Sequence, residues 1–139
     1  MENQSAESAK GSSARVSGEA TILLVEDHPE TAYVMQRLLG MSGLHVHIAR
    51  SVQEALAQAE LRRFDLILCD IGLPDGDGSA ILNEIRKHYP IEGIVLSAHA
   101  FPADIERSRA AGYIEHLIKP ITPERVLAAI RRHVRFDNA

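Results

Sequence analysis

Short unbroken apolar runs alternate with longer stretches in which apolar residues recur three and four positions apart. The runs are Ile22-Leu23-Leu24-Val25, Leu66-Ile67-Leu68-Cys69, Ile94-Val95-Leu96 and the shorter Leu117-Ile118. Such runs read as buried strands, and the stretches between them read as helices. The pattern predicts a first strand over about 21–26. A helix over about 29–42 follows, with Pro29 in its first turn and an apolar stripe of Val34, Leu38 and Met41. Gly43 supplies a left-handed stop. In a second strand over about 45–49, Val46 and Ile48 alternate with His45 and His47, which suits a sheet edge. Ser51 and Glu54 form an S-x-x-E capping box that opens a helix reaching about Arg62.

The same reading continues to the end of the chain. A third strand spans about 65–70, and a Pro/Gly-rich loop runs from Gly72 to Gly78. A helix over about 79–88 leads to a fourth strand over about 93–97. The next helix, about 102–111, stops at Gly112 and precedes a fifth strand over about 116–118. Thr122 caps a last helix that has Pro123 at its first position and reaches about Arg135. Strands alternating with helices argue for a parallel sheet covered on both faces, in an α/β fold. Short right-handed connections favour a doubly wound sheet, and five units are too few for an eight-unit barrel.

Composition narrows the picture only slightly. The 139 residues suit one domain. Residues 1–19 are mostly Ser, Ala, Gly and Glu, and such a segment buries too little surface to offset its ordering entropy. They read as a disordered tail or linker, with the folded unit at 20–136. A net charge of -4 gives no global attraction to nucleic acid or to an anionic membrane. Cys69 is the one cysteine, so no internal disulfide forms, and its place in an apolar run suits a small core residue. No apolar stretch approaches the length of a membrane span and no secretory signal opens the chain, so the expected location is cytoplasmic.

The candidate chemistry sits where the apolar runs end. Glu26 and Asp27 follow the first run, Asp70 the second, Ser97 the third, and Lys119-Pro120 the last. In an open parallel sheet, ligands bind outside the carboxyl ends of the strands. Three carboxylates, a hydroxyl and an ammonium would therefore converge. An acid pair closing a buried strand suits a hard cation such as magnesium, which takes one or two carboxylates plus water and phosphate oxygens. A carboxylate such as Asp70 can accept a phosphoryl group as an acyl phosphate. Lys119 and Ser97 supply donors for the equatorial oxygens. Each residue alone also reads as an ordinary turn or surface group. The bond before Pro120 is a candidate cis peptide.

Together, Glu26-Asp27, Asp70 with Gly72-Leu73-Pro74-Asp75-Gly76-Asp77-Gly78, Ser97-Ala98 and Lys119-Pro120 resemble the receiver domain of bacterial two-component signalling. The match covers about 21–134 in the right order. The resemblance implies a flavodoxin-like, five-stranded parallel sheet of order 2-1-3-4-5. It implies that Asp70 takes phosphate from a phosphohistidine on a sensor histidine kinase or a histidine phosphotransfer protein. Glu26, Asp27 and Asp70, with the backbone carbonyl of Gly72, would hold magnesium. Ser97 and Lys119 would grip the phosphoryl oxygens, and Gly72 and His99 would line the approach of water and set the phosphate lifetime.

One position departs from the family pattern. Receivers often carry Tyr or Phe three residues before the lysine, where the rotamer reports phosphorylation, and here that residue is His116. The stretch Glu115-His116-Leu117 resembles receivers attached to hybrid sensor kinases, so a fused kinase domain and a stand-alone regulator both remain open. An imidazole at 116 serves either as a switch or as a strand-edge residue. The runner-up function is a small flavodoxin-like phosphatase or phosphotransferase acting on a metabolite, and a degenerate receiver that only binds partners is a third. Asp75-Gly76-Asp77-Gly78 lacks the glycine spacing and terminal glutamate of a calcium loop. His45 and His47 share a strand face but lack further ligands. The basic residues Arg125, Arg131, Arg132, His133 and Arg135 on the last helix form either a solvated face or a contact surface for a partner or a second copy.

Overall fold

The computed structural model describes residues 19–73, 75–98 and 101–135. The expected tail, Glu19 excepted, and the predicted domain end at 136 lie outside them. In chain order the elements are β1 (Ala20–Val25), α1 (Pro29–Gly40), β2 (Leu44–Ala49), α2 (Val52–Leu61), β3 (Leu66–Asp70), β4 (Gly72–Leu73), β5 (Gly76–Asp77), α3 (Ser79–Arg86), β6 (Glu92–Ser97), α4 (Pro102–Ala110), β7 (Glu115–Ile118) and α5 (Pro123–His133). Five strands form a parallel sheet in the order β2-β1-β3-β6-β7, which is the predicted 2-1-3-4-5 topology. The half-polar strand β2 lies at the edge, as its alternation predicts.

Alternate strand residues feed two cores. Ile22, Leu24, Leu66, Leu68, Ile94 and Leu96 pack on one face with Ala32, Met35 and Leu39 of α1 and Val126, Ala129 and Ile130 of α5. Leu23, Val25, Ile67, Cys69 and Val95 pack on the other with Ile81, Leu82 and Ile85 of α3. Fully burying one such aliphatic side chain contributes about 2 kcal/mol, so both faces of the sheet are committed to helices. Cys69 is one of these core residues.

Several boundaries differ from the expected ones by one or two residues. The last turns of α1 and α3 tighten into i to i−3 bonds, Ser42 N–H to Leu39 O and His88 N–H to Ile85 O, which ends both helices early. Gly43 and Gly112 take positive φ of 91° and 101° at the predicted stops. Ser51 accepts from Glu54 N–H as the capping box requires, but the Glu54 carboxylate accepts from Arg50 N–H, one residue further back than expected. Thr122 accepts from Arg125 N–H at the start of α5.

Two corrections go deeper. The predicted α1 stripe of Val34, Leu38 and Met41 faces outward, with exposures of 52%, 37% and 75%. Helix α1 carries apolar residues on two faces, and the face led by the small Ala32 docks on the sheet. The stretch from Gly72 to Gly78 is not an irregular loop. Gly72 pairs with Asp77 and Leu73 with Gly76, so a short antiparallel hairpin follows Asp70.

Candidate functional site

Sheet register brings the strand ends together. Val25 pairs with Cys69, which sets Glu26 level with Asp70 across β1 and β3. Asp70 pairs with Leu96, so Ser97 extends one step beyond it, and Ser97 pairs with Ile118 next to Lys119. Glu26 N–H donates to Ala49 O at 2.9 Å, and Lys119 N–H donates to Ser97 O at 2.7 Å. These bonds fix the backbone on both sides of Asp70. The Lys119-Pro120 peptide is cis.

The side chains converge as the strand ends predict. Lys119 Nζ lies 3.4 Å from Asp70 Oδ2 and 3.8 Å from Glu26 Oε1. Glu26, Asp70 and Ser97 are buried, at 1%, 8% and 1% exposure, so charge here is screened far less than at the surface. Among the described residues, Glu26, Asp27, His28 and Asp70 offer ligand atoms within 4.8 Å of one another. Asp27 Oδ1 is buried and accepts no hydrogen bond. Its contact with the exposed His28 imidazole, 3.3 Å away, is not a hydrogen bond, and a cation at the acid pair would offset its desolvation more fully. Three carboxylates, one with an oxygen that accepts no hydrogen bond, fit a hard divalent ion such as magnesium.

His28 belongs to this cluster, a member that the pattern of strand ends does not predict. Its Nδ1 lies 2.8 Å from Glu26 Oε2 and 3.3 Å from Asp27 Oδ1, and its backbone N–H donates to Glu26 Oε2 at 3.1 Å. The bond to Glu26, with the charge of Asp27 beside it, raises the imidazole above its usual pKa of 6.5. The signal available in sequence was its place directly after the acid pair.

The segment behind Asp70 is packed against backbone. A Cβ at Gly78 would lie 2.5 Å from Cys69 Sγ and 3.1 Å from Asp70 O, so only glycine fits there. Tyr113 Oη donates to Gly78 O at 2.7 Å, joining the approach to β7 to the end of the hairpin. His116, in the position that departs from the family, contacts Ser108 Oγ of α4 through Nδ1 at 3.0 Å. His99 lies outside the described residues.

Two further histidines and part of the basic helix have local partners. His45 pairs with Glu19 at 3.0 Å, and His47 meets the Phe64 ring edge-on. Burial pushes the His47 imidazole below its usual value. On α5, Arg132 and His133 both bind the Glu115 carboxylate at 2.7 Å, and Arg125 donates to Ile118 O and Pro120 O. These three basic residues are therefore tied internally, with Arg132 still 54% exposed. No helix among the described residues is long and apolar enough to cross a membrane.

Comparison with known proteins agrees with this geometry. The family model for the response regulator receiver domain matches residues 22–131. The KDP operon transcriptional regulatory protein KdpE of Escherichia coli is 34% identical over 116 residues, which are 81% of this chain and 52% of that protein. The signal transduction histidine-protein kinase BarA of the same species is 31% identical over 81% of this chain and 13% of its own length. The chain thus spans about half of one relative and a small part of the other. A CheY-like receiver from Methanospirillum hungatei superposes with a TM-score of 0.76 at 31% identity, covering 81% of this chain and 91% of that one. Vibrio cholerae CheY4 gives 0.76 at 28% identity, covering 84% and 99%. A metabolite phosphatase is not favoured by these matches. Sheet order, the acids at the strand ends and the family match lead to one assignment: the chain belongs to the response regulator receiver domains of two-component signalling.

Proposed function

We propose that Asp70 is the phosphoacceptor of this receiver and that its donor is a phosphohistidine on a sensor histidine kinase or a histidine phosphotransfer protein. A carboxylate oxygen of Asp70 attacks phosphorus, the phosphorus–nitrogen bond breaks, and its electron pair returns to the donor imidazole. Lys119 and Ser97 hold the phosphoryl oxygens as charge redistributes over them. Glu26, Asp27 and Asp70, with the Gly72 carbonyl, are the residues that would hold magnesium. The bound ion supplies charge neutralisation between the acidic pocket and the incoming phosphate. The single observation carrying this reading is the Lys119 ammonium 3.4 Å from Asp70 beside the buried Glu26.

The phosphorylated aspartate adds nearly two negative charges at this corner. Ser97 and His116 then change partners, and the surface formed by α4 and β7 shifts population toward a form that binds a different target. The exposed Tyr33 and Val34 of α1, six and seven residues after Asp27, offer apolar surface to the donor. Gly72 and His99 govern water access to the acyl phosphate, so Gly72→Asn and His99→Ala change its decay rate.

Incubation with magnesium and a small acyl-phosphate donor tests the reading by intact mass. The expected product carries one phosphoryl group per chain, and it is absent from Asp70→Asn and from samples with chelator. Labelling that persists in Asp70→Asn, or none in the parent protein under donor excess, would falsify it. Catalytic turnover of a phosphorylated metabolite would instead favour an enzyme. The cavity of about 500 Å³ between α2 and α3, lined by Leu56, Arg63, Ile85 and Tyr89 among others, contains none of the residues assigned here.

A further inference from the structure

The hairpin β4–β5 has two residues in each strand, too few to hold its own shape in water. It nevertheless begins two residues after Asp70 and carries Gly72. Something outside the hairpin must fix it. Asp75, in its turn, reaches across to the start of α2. Its Oδ1 accepts from Val52 N–H at 2.8 Å and its Oδ2 accepts from Gln53 N–H at 3.1 Å. These are the first two N–H groups of the helix, which have no intrahelical acceptor and carry the positive end of the helix dipole.

Other contacts favour the same seating. Gly76 takes φ of +151°, a conformation that L side chains rarely adopt, and a Cβ there would meet Val52 Cγ2 at 3.6 Å. Leu73 and Val52 pack against the same core cluster. The N–H bonds from Val52 and then Gln53 hold the Asp75 carboxyl below the usual carboxylate range, so it remains an ionised acceptor near neutrality. The helix already has its own cap, because Ser51 serves Glu54 N–H. Asp75 therefore adds a tie between two elements about 22 residues apart in sequence.

We propose that Asp75 is a positioning residue: by clamping the hairpin to the N-terminus of α2 it holds the Gly72 carbonyl where a divalent ion bound at Asp70 needs it. This rests on the reading of Asp70 and its acid neighbours given above. The carboxylate touches neither the ion nor the phosphoryl group and acts through the hairpin backbone. Removing a group that orients a metal ligand typically weakens metal affinity about 10–100-fold.

The test uses the full chain and magnesium chloride, with affinity read by titration calorimetry and the thermal midpoint read in chelator. Asp75→Ala is expected to weaken magnesium affinity about tenfold. Asp75→Asn keeps one acceptor oxygen and falls between it and the parent. Ser51→Ala removes a hydrogen bond from the same helix end but leaves the hairpin tied. It lowers the thermal midpoint comparably and leaves magnesium affinity unchanged. Parent-like affinity in both Asp75 variants overturns the proposal, as does an equal loss in Ser51→Ala. Asp27→Asn separates the two levels of argument. If it abolishes binding while the Asp75 variants bind normally, only the clamp fails. If the parent protein binds no magnesium, the reading of the acidic pocket falls and the clamp falls with it.

Discussion

Strand β7 is flanked by two helices that are held in opposite ways. Helix α5 sends Val126, Ala129 and Ile130 into the core, opens on a Thr122 cap, and is tied back by the Arg132 and His133 bonds to Glu115. Helix α4 buries a single side chain, the polar Ser108, and has no side-chain cap. The neighbouring residues Glu115 and His116 therefore serve different helices, one a well-anchored helix and the other a lightly attached one. A helix held by apolar burial moves only if the core opens. A helix held by a few polar contacts can be displaced at small cost, which is where a receiver needs its alternative conformation.

The comparison breaks most decisively under core truncation. Ile130→Ala in α5 is expected to destabilise the domain by about 2–5 kcal/mol in urea unfolding. Ile105→Ala in α4, at a half-buried position, should cost only about 1 kcal/mol. Equal losses would show that α4 is anchored as firmly as α5. A smaller effect tests the polar tie itself. Ser108→Ala should cost about 1 kcal/mol and lower amide-exchange protection in α4 while leaving α5 protected. Loss of protection in both helices would mean that they move as one unit.

The smallest effect concerns pH. The Arg132 hydrogen bond, joined by that of His133, holds the Glu115 carboxyl below its usual 4.5. A carboxylate with a depressed folded-state value stabilises the fold above the unfolded value, and that contribution disappears as pH falls through the folded one. Stability measured from pH 6 downward should therefore fall less steeply below about 4.5 in Glu115→Gln than in the parent. Identical slopes would remove the ion-pair tie from the account of α5.

Much of this was legible in sequence because the sheet is parallel and buried. A strand covered on both faces must be apolar throughout, so its last polar residue announces the site, as at Asp70 and Lys119. The edge position of β2 followed from its alternation in the same way. The α1 face was not legible, since Ala32 is too small to outweigh Val34 and Leu38 in a hydrophobic pattern, although its size is what allows close approach to the sheet. Glycines at 72, 76 and 78 signalled a turn and concealed a ladder. The roles of His28, Asp75 and Ser108 depend on partners two, 22 and eight residues away, through contacts that no local period encodes.

The contact between Ser108 and His116 has a consequence for the imidazole. The Ser108 hydroxyl has one hydrogen, and it is given to Ile105 O at 2.9 Å. Its lone pairs must then receive the hydrogen on His116 Nδ1, 3.0 Å away. The ring is thereby held through a donor at Nδ1. This fastening needs a donor close to the strand: a phenylalanine at 116 offers none, and a tyrosine carries its donor at the far end of a longer ring.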